Sequence, residues 1–144
     1  MLLVDDNKDL LIIAENFLAM EEPAFEVVTA TSALEALQRM QDEQFDAVIA
    51  DYDMKNSDMN GLDFLQRLRN IENYTPFVLF TGTWKEDVAI RALNLGANFF
   101  LKKEGQAKIL YRKLAEILWN LIAERKIEDI FRKAKQNTAS LTKT

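Results

Sequence analysis

MLLVDDNKD, residues Met1–Asp9, opens the chain with four apolar residues and sets Asp5 and Asp6 directly behind them. A short apolar run closed by polar turn residues reads as a buried strand that ends at the acidic pair. Adjacent carboxylates repel and each resists leaving water, so such a pair calls for something positive to neutralise it. A plainer reading makes Asp5 and Asp6 solvated turn residues, with Asn7 or Asp9 capping the next helix. The rest of the chain decides between the two.

Runs of the same kind recur at Phe25–Ala30, Ala47–Ala50, Phe77–Thr81 and Asn98–Leu101, after the first at Leu2–Val4. Helical periodicity separates them at Leu10–Met20, Ala33–Met40, Leu62–Ile71 and Asp87–Leu95. Continuous apolar strands alternating with amphipathic helices predict a parallel sheet covered on both faces, a doubly wound α/β domain of five strands. Punctuation agrees. Thr31-Ser32 followed by Glu35 reads as a capping box, Gly96 as a helix C-cap, and Pro76 as a strand entrance. From Gln106 a helical pattern runs on to about Gln136, about 45 Å at ~1.5 Å per residue, which is longer than such a domain is wide. Its apolar face shifts phase near Glu124, and QNTASLTKT at the end is expected to fray. The expected division is a domain over 1–122 and a C-terminal helical extension with a frayed tail over 123–144.

Composition narrows the chemistry. With 144 residues, 49% hydrophobic and 28% charged, the chain has the make-up of an ordinary soluble globular domain. A net charge of -5 argues against direct nucleic-acid binding, which needs a basic face. Zero cysteines exclude disulfides and thiolate chemistry, and zero histidines exclude the commonest general base and any phosphohistidine of the chain's own. The nucleophiles left are carboxylates, hydroxyls and lysines. The densest apolar stretch, LLIIA at Leu10–Ala14, is far too short to span a membrane, and no signal-peptide pattern precedes it. The expected location is the cytoplasm.

In an open parallel sheet, ligands gather outside the carboxyl ends of the strands. Strand one ends in Asp5-Asp6, strand three in Asp51 with Asp53 just beyond, strand four in Thr81, and strand five in Lys102-Lys103. Solvation alone explains one such exit, not all four together. Clustered carboxylates suit a hard divalent cation, Mg²⁺ before others, often shared with a phosphate. A lysine and a hydroxyl opposite suit phosphate oxygens. Phosphoryl transfer is the chemistry implied, and Asp51 on the central strand is the natural acceptor.

VDD at Val4–Asp6, FDAVIAD at Phe45–Asp51, FTG at Phe80–Gly82 and GANFFLKK at Gly96–Lys103 stand in the order and separation of one family. Over about its first 120 residues the chain resembles the receiver domain of two-component response regulators, of the chemotaxis-regulator kind. The resemblance implies the flavodoxin-like strand order 2-1-3-4-5. It implies a phosphoryl group passing to Asp51 from the phosphohistidine of a sensor histidine kinase or histidine phosphotransfer protein. It makes Asp6 a direct Mg²⁺ ligand, Asp5 a ligand largely through water, Asp51 a further ligand of the same ion, and Asp53 a contributor of its backbone carbonyl. Thr81 is the hydroxyl that swings to the phosphate, Phe100 the aromatic that turns inward behind it, and Lys103 the phosphate's ammonium partner. The implied protein is a signalling switch that phosphorylates and slowly dephosphorylates itself, not a metabolic enzyme. Departures from the family pattern lie beside the site. Lys55 replaces a common proline, DYDMKNSDMNG carries about two extra residues before Gly61, Glu104 replaces the proline after Lys103, Gly82 replaces alanine, and Phe100 replaces tyrosine. Trp84, in the loop after strand four, reads either as packing or as an exposed contact.

Three other readings compete. Asp51-Tyr52-Asp53 resembles the DxD start of haloacid-dehalogenase-type Mg²⁺ phosphatases, which place that motif on their first strand and need a longer chain. A flavin carrier shares the architecture, but DDNKD would repel its phosphate. A receiver-fold scaffold that is never phosphorylated is the third. The C-terminal helix raises a separate expectation: Leu118, Leu121, Ile122, Ile127, Ile130 and Phe131 exceed what one small domain can cover, which predicts a homodimer through that helix. The phase shift argues against a long regular coiled coil.

Overall fold

The computed structural model describes residues 1–55 and 59–142. Its five strands are β1 (Leu2–Val4), β2 (Val28–Ala30), β3 (Val48–Ala50), β4 (Phe77–Thr81) and β5 (Phe99–Lys102). They form one sheet in the order β2-β1-β3-β4-β5, every pairing parallel. Leu2 pairs with both Val28 and Val48, so the carboxyl ends of the three strands lie level. The helices are α1 (Lys8–Glu21), α2 (Ala33–Asp42), α3 (Gly61–Asn70), α4 (Glu86–Asn94) and α5 (Ala107–Thr142).

Alternation along the strands divides the core in two. Leu2, Val4, Val48, Ala50, Phe77 and Leu79 face α2, α3 and α4, where Phe64, Leu65 and Leu68 meet them. Leu3, Ile49, Val78 and Phe80 face α1 and α5, against Leu11, Leu18, Leu114 and Leu118. Both faces of the strands are therefore apolar, which is why they read as unbroken runs.

Caps fix where the helices begin. Asn7, not Asp9, caps α1, its side chain accepting from the amides of Asp9 at 3.0 Å and Leu10 at 3.2 Å. Ser32 caps α2 through the Glu35 amide, but the Glu35 carboxylate returns to the amide and hydroxyl of Thr31 instead of the Ser32 amide. A reciprocal box of Asn60 and Asp63 opens α3. Gly96, at φ +90, follows α4 as expected of an αL cap.

Several boundaries differ from the sequence reading by a residue or more, and three of them have a visible cause. β2 begins at Val28, not Phe25, because the Phe25 amide turns back to the Glu22 carbonyl at 3.1 Å and the ladder with β1 opens where the Val28 amide bonds the Met1 carbonyl at 2.9 Å. β5 begins at Phe99, since Asn98 uses its side-chain oxygen as well as its amide on Phe77. The tail expected to fray from Gln136 is helical to Thr142. It contains no glycine or proline, and the Thr138 hydroxyl bonds back to the Ala134 carbonyl at 3.0 Å. The helix is thus about 54 Å long at ~1.5 Å per residue.

Candidate functional site

The ladder of the sheet continues one residue past three of the strands. The Asp5 amide bonds the Ala30 carbonyl at 3.1 Å, the Asp51 amide the Val4 carbonyl at 3.0 Å, and the Lys103 amide the Thr81 carbonyl at 2.8 Å. Each reactive side chain is therefore rooted in a sheet hydrogen bond.

Three acids converge there. Carboxylate oxygens of Asp5, Asp6 and Asp51 lie within 4.8 Å of one another. The buried Asp5 has both oxygens engaged: one accepts the Asn7 amide at 3.0 Å and the other the Lys103 Nζ at 2.9 Å. Lys103 also approaches the Asp51 Oδ2 at 3.8 Å, and its Nζ stands 5.1 Å from the centre of the Phe80 ring. The Asp51 Oδ1 is buried without a hydrogen-bond partner. Burial pushes the Asp51 carboxyl above the usual carboxylate range; Lys103 and the Thr81 hydroxyl oppose that shift, and Asp5 adds to it. Three carboxylates with one unpartnered oxygen and one lysine form an acidic pocket short of positive charge. An oxygen-only donor set of this kind fits Mg²⁺.

Thr81 is fully buried, and its Oγ1 accepts the Thr83 amide at 3.3 Å. Asp53 stands beside the acid cluster with its carboxylate turned to the Thr83 hydroxyl, 2.8 Å away. Phe100 is half-buried, and the exposed Trp84 meets it edge-on with ring centres 5.2 Å apart. Trp84 is thus both an exposed residue and a packing partner. Glu104 does not displace Lys103: among the described residues no peptide bond is cis, and the chain turns instead at Gly105, φ +81. Lys55 is exposed, while residues 56–58 of the DYDMKNSDMNG loop lie outside the described residues.

Some neighbours escape the sequence reading. Gly61 lets the head of α3 lie against the Asp51 backbone; a Cβ there would run into the Asp51 carbonyl oxygen and come within 2.9 Å of Leu79 Cδ1. Its position before an apolar helix was the one available signal. Thr83 joins Asp53 to Thr81, a link with no local signature. Tyr111 on α5 stacks on Phe17 and meets Phe80 edge-on, and burial followed by the Asp5 charge raises its phenol pKa.

The fold and these strand exits define a class: a doubly wound α/β domain with an acidic pocket at its carboxyl edge. The family model for the response regulator receiver domain matches residues 1–115. Among curated relatives, Response regulator SaeR of Staphylococcus epidermidis is 31% identical over 103 residues, covering 72% of this chain and 43% of that protein. Response regulator SaeR of Staphylococcus aureus is 28% identical over 118 residues, covering 82% and 50%. The chain thus spans about half the length of the curated relatives it matches. A response regulator receiver domain from Clostridium thermocellum superposes with a TM-score of 0.75 at 28% identity, covering 88% of this chain and 95% of that one. A CheY-like receiver domain from Methanospirillum hungatei gives 0.72 at 26%, covering 85% and 95%. The chain belongs to the response regulator receiver domain family. It is a signalling domain of two-component systems, whose general partners are histidine kinases, and the phosphatase reading is not favoured. Among the described residues no helix is long and apolar enough to cross a membrane.

Proposed function

We propose that Asp51 accepts a phosphoryl group from the phosphohistidine of a sensor histidine kinase or histidine phosphotransfer protein. The observation that carries this is the buried, unpartnered Asp51 Oδ1 beside Asp5, Asp6 and Lys103. An Asp51 oxygen attacks phosphorus, forming the O–P bond as the N–P bond breaks and imidazole leaves. Burial serves this step, because a poorly solvated carboxylate sheds little water before it attacks. Lys103 is already within 4 Å of both Asp5 and Asp51 and answers the added negative charge, while the Thr81 hydroxyl donates to a phosphate oxygen. Asp5, Asp6, Asp51 and the Asp53 carbonyl would hold Mg²⁺, which when bound would neutralise charge on the transferring group. Hydrolysis of the resulting acyl phosphate by the same site resets the switch. Phe100 follows Thr81 inward, and the exchange of states is read by a partner.

The protein acts in the cytoplasm without contacting nucleic acid directly. Residues 1–122 form the receiver unit and 123–144 an extension through which two copies of the chain pair. Mass spectrometry of the intact chain with Mg²⁺ and a small phosphodonor tests the acceptor role: one phosphate is added, and none in Asp51→Asn or without metal. Labelling of Asp51→Asn at the wild-type level overturns the assignment, and a chain that never labels is a scaffold.

A further inference from the structure

Resting on the proposed roles of Asp51 and the Asp53 carbonyl, we infer that Thr83 is a positioning residue. Its hydroxyl holds the Asp53 carboxylate out of the pocket where metal and phosphoryl group meet. β3 and β4 are parallel neighbours, with Ala50 opposite Leu79, so their exits run on side by side. Asp53 stands two residues past Asp51, and Thr83 two past Thr81. The Thr83 hydroxyl bridges the two exits, donating to the Asp53 Oδ2 at 2.8 Å. Its amide donates to the Thr81 Oγ1 at 3.3 Å. A hydroxyl oxygen that accepts an amide keeps its own proton for another acceptor, and Thr81 needs that proton to donate to a phosphate. One residue thus bears on both loops of the site.

Packing does not fix this loop. A Cβ at Gly82 would meet nothing within 4 Å, so the turn between Thr81 and Thr83 has open space beside it. The bond to Asp53 is what ties the turn to the exit of β3. Charge gives that bond its consequence. Asp5, Asp6 and Asp51 already gather their carboxylates within 4.8 Å, and Asp53 is not one of that group. Lys103 is spent on Asp5 and Asp51, whereas Asp53 has the neutral Thr83 hydroxyl. A fourth carboxylate turned inward would offer a divalent cation one more oxygen and hold it more tightly. It would also set a further negative charge against an incoming phosphoryl group. Mg²⁺ shared with a phosphate is held by few carboxylates and keeps positions open. With its carboxylate turned outward, Asp53 is left to serve the ion through its backbone carbonyl alone.

Thr83→Val keeps the amide and the branched shape and removes the hydroxyl, so it isolates the bond. In titration calorimetry on the full chain it should bind Mg²⁺ more tightly than the wild type, on the order of fivefold for one hydrogen bond released. Phosphate uptake from acetyl phosphate at saturating Mg²⁺ should slow by a similar factor. Thr83→Ser restores the hydroxyl and should return both values to those of the wild type. Asp53→Asn has no carboxylate to release, so adding Thr83→Val to it should change neither value. An Mg²⁺ affinity that is unchanged or weaker in Thr83→Val overturns the inference. So does a slowing that persists in the Asp53→Asn background, which would make Thr83 a loop tie only. Both results leave the acceptor role of Asp51 intact. A wild-type chain that binds no Mg²⁺ overturns the inference together with the metal site on which it rests.

Discussion

Replacing Asp51 with asparagine should make the metal-free domain more stable, although it removes the acceptor. The side chain of Asp51 is only 13% exposed, its Oδ1 is unpartnered, and it shares the pocket with Asp5 and Asp6. A buried polar group left without a partner costs about 1–3 kcal/mol. Lys103 offsets little of this, because it stands 3.8 Å from Asp51 and spends its close contact, 2.9 Å, on Asp5. The asparagine side chain would be neutral and would bring an amide that can donate to the neighbouring carboxylates. For 144 residues, at about 2.1 cal/mol/K per residue, the unfolding entropy is about 0.3 kcal/mol/K, so Tm should rise by about 3–10 °C. The pH dependence carries the same sign. Because the folded pKa of Asp51 is raised, the wild type escapes the penalty below the unfolded pKa and incurs it as pH rises through the folded one. The difference in Tm should therefore shrink as pH falls toward the unfolded pKa and be fully present above the folded one. Mg²⁺ should narrow the gap: at ten times its Kd it stabilises the wild type by about 1.4 kcal/mol, and Asp51→Asn by less. Calorimetry in EDTA and in Mg²⁺, across pH, measures all of this. A Tm for Asp51→Asn below that of wild type in EDTA at neutral pH would refute the reasoning.

Lys103→Ala leaves the buried Asp5 carboxylate without its cation and should destabilise the metal-free domain by about 2 kcal/mol. Its Mg²⁺ affinity, by titration calorimetry, should be unchanged or slightly tighter; a loss equal to that of Asp6→Ala contradicts the separate roles. Gly61→Ala drives a methyl into the Asp51 carbonyl and Leu79, so it should cost about 1–3 kcal/mol in denaturant unfolding and slow phosphate uptake together. In a Trp119→Phe background the emission of Trp84 should change when beryllofluoride and Mg²⁺ bind, because its ring rests on Phe100. An unchanged spectrum in a chain shown to bind the mimic removes Phe100 movement from the switch.

Much of this was legible because a parallel sheet gathers its own exits. Val4, Ala50, Thr81 and Lys102 end strands recognisable from apolar runs, so Asp5, Asp51, Thr81 and Lys103 could be brought together before any coordinates. Contacts made across loops were not legible. Thr83 reaches Asp53 over thirty residues, and Gly61 matters only because α3 begins against the Asp51 backbone. The extent of edge pairing was likewise hidden, since β2 meets β1 only over Val28–Ala30, a register its own residues do not reveal. On α5 the phase shift was visible as a pattern, yet its meaning required knowing that Tyr111, Leu114 and Leu118 are the buried face.

Reductive trapping tests the central claim most directly. Borohydride converts an aspartyl phosphate to homoserine, so the chain would be incubated with Mg²⁺ and phosphodonor, reduced, digested and sequenced by mass spectrometry. Homoserine at position 51, lost when metal or donor is omitted, is the expected result. Homoserine at position 5, 6 or 53 instead, or phosphate retained on the chain with position 51 still aspartate, would contradict it.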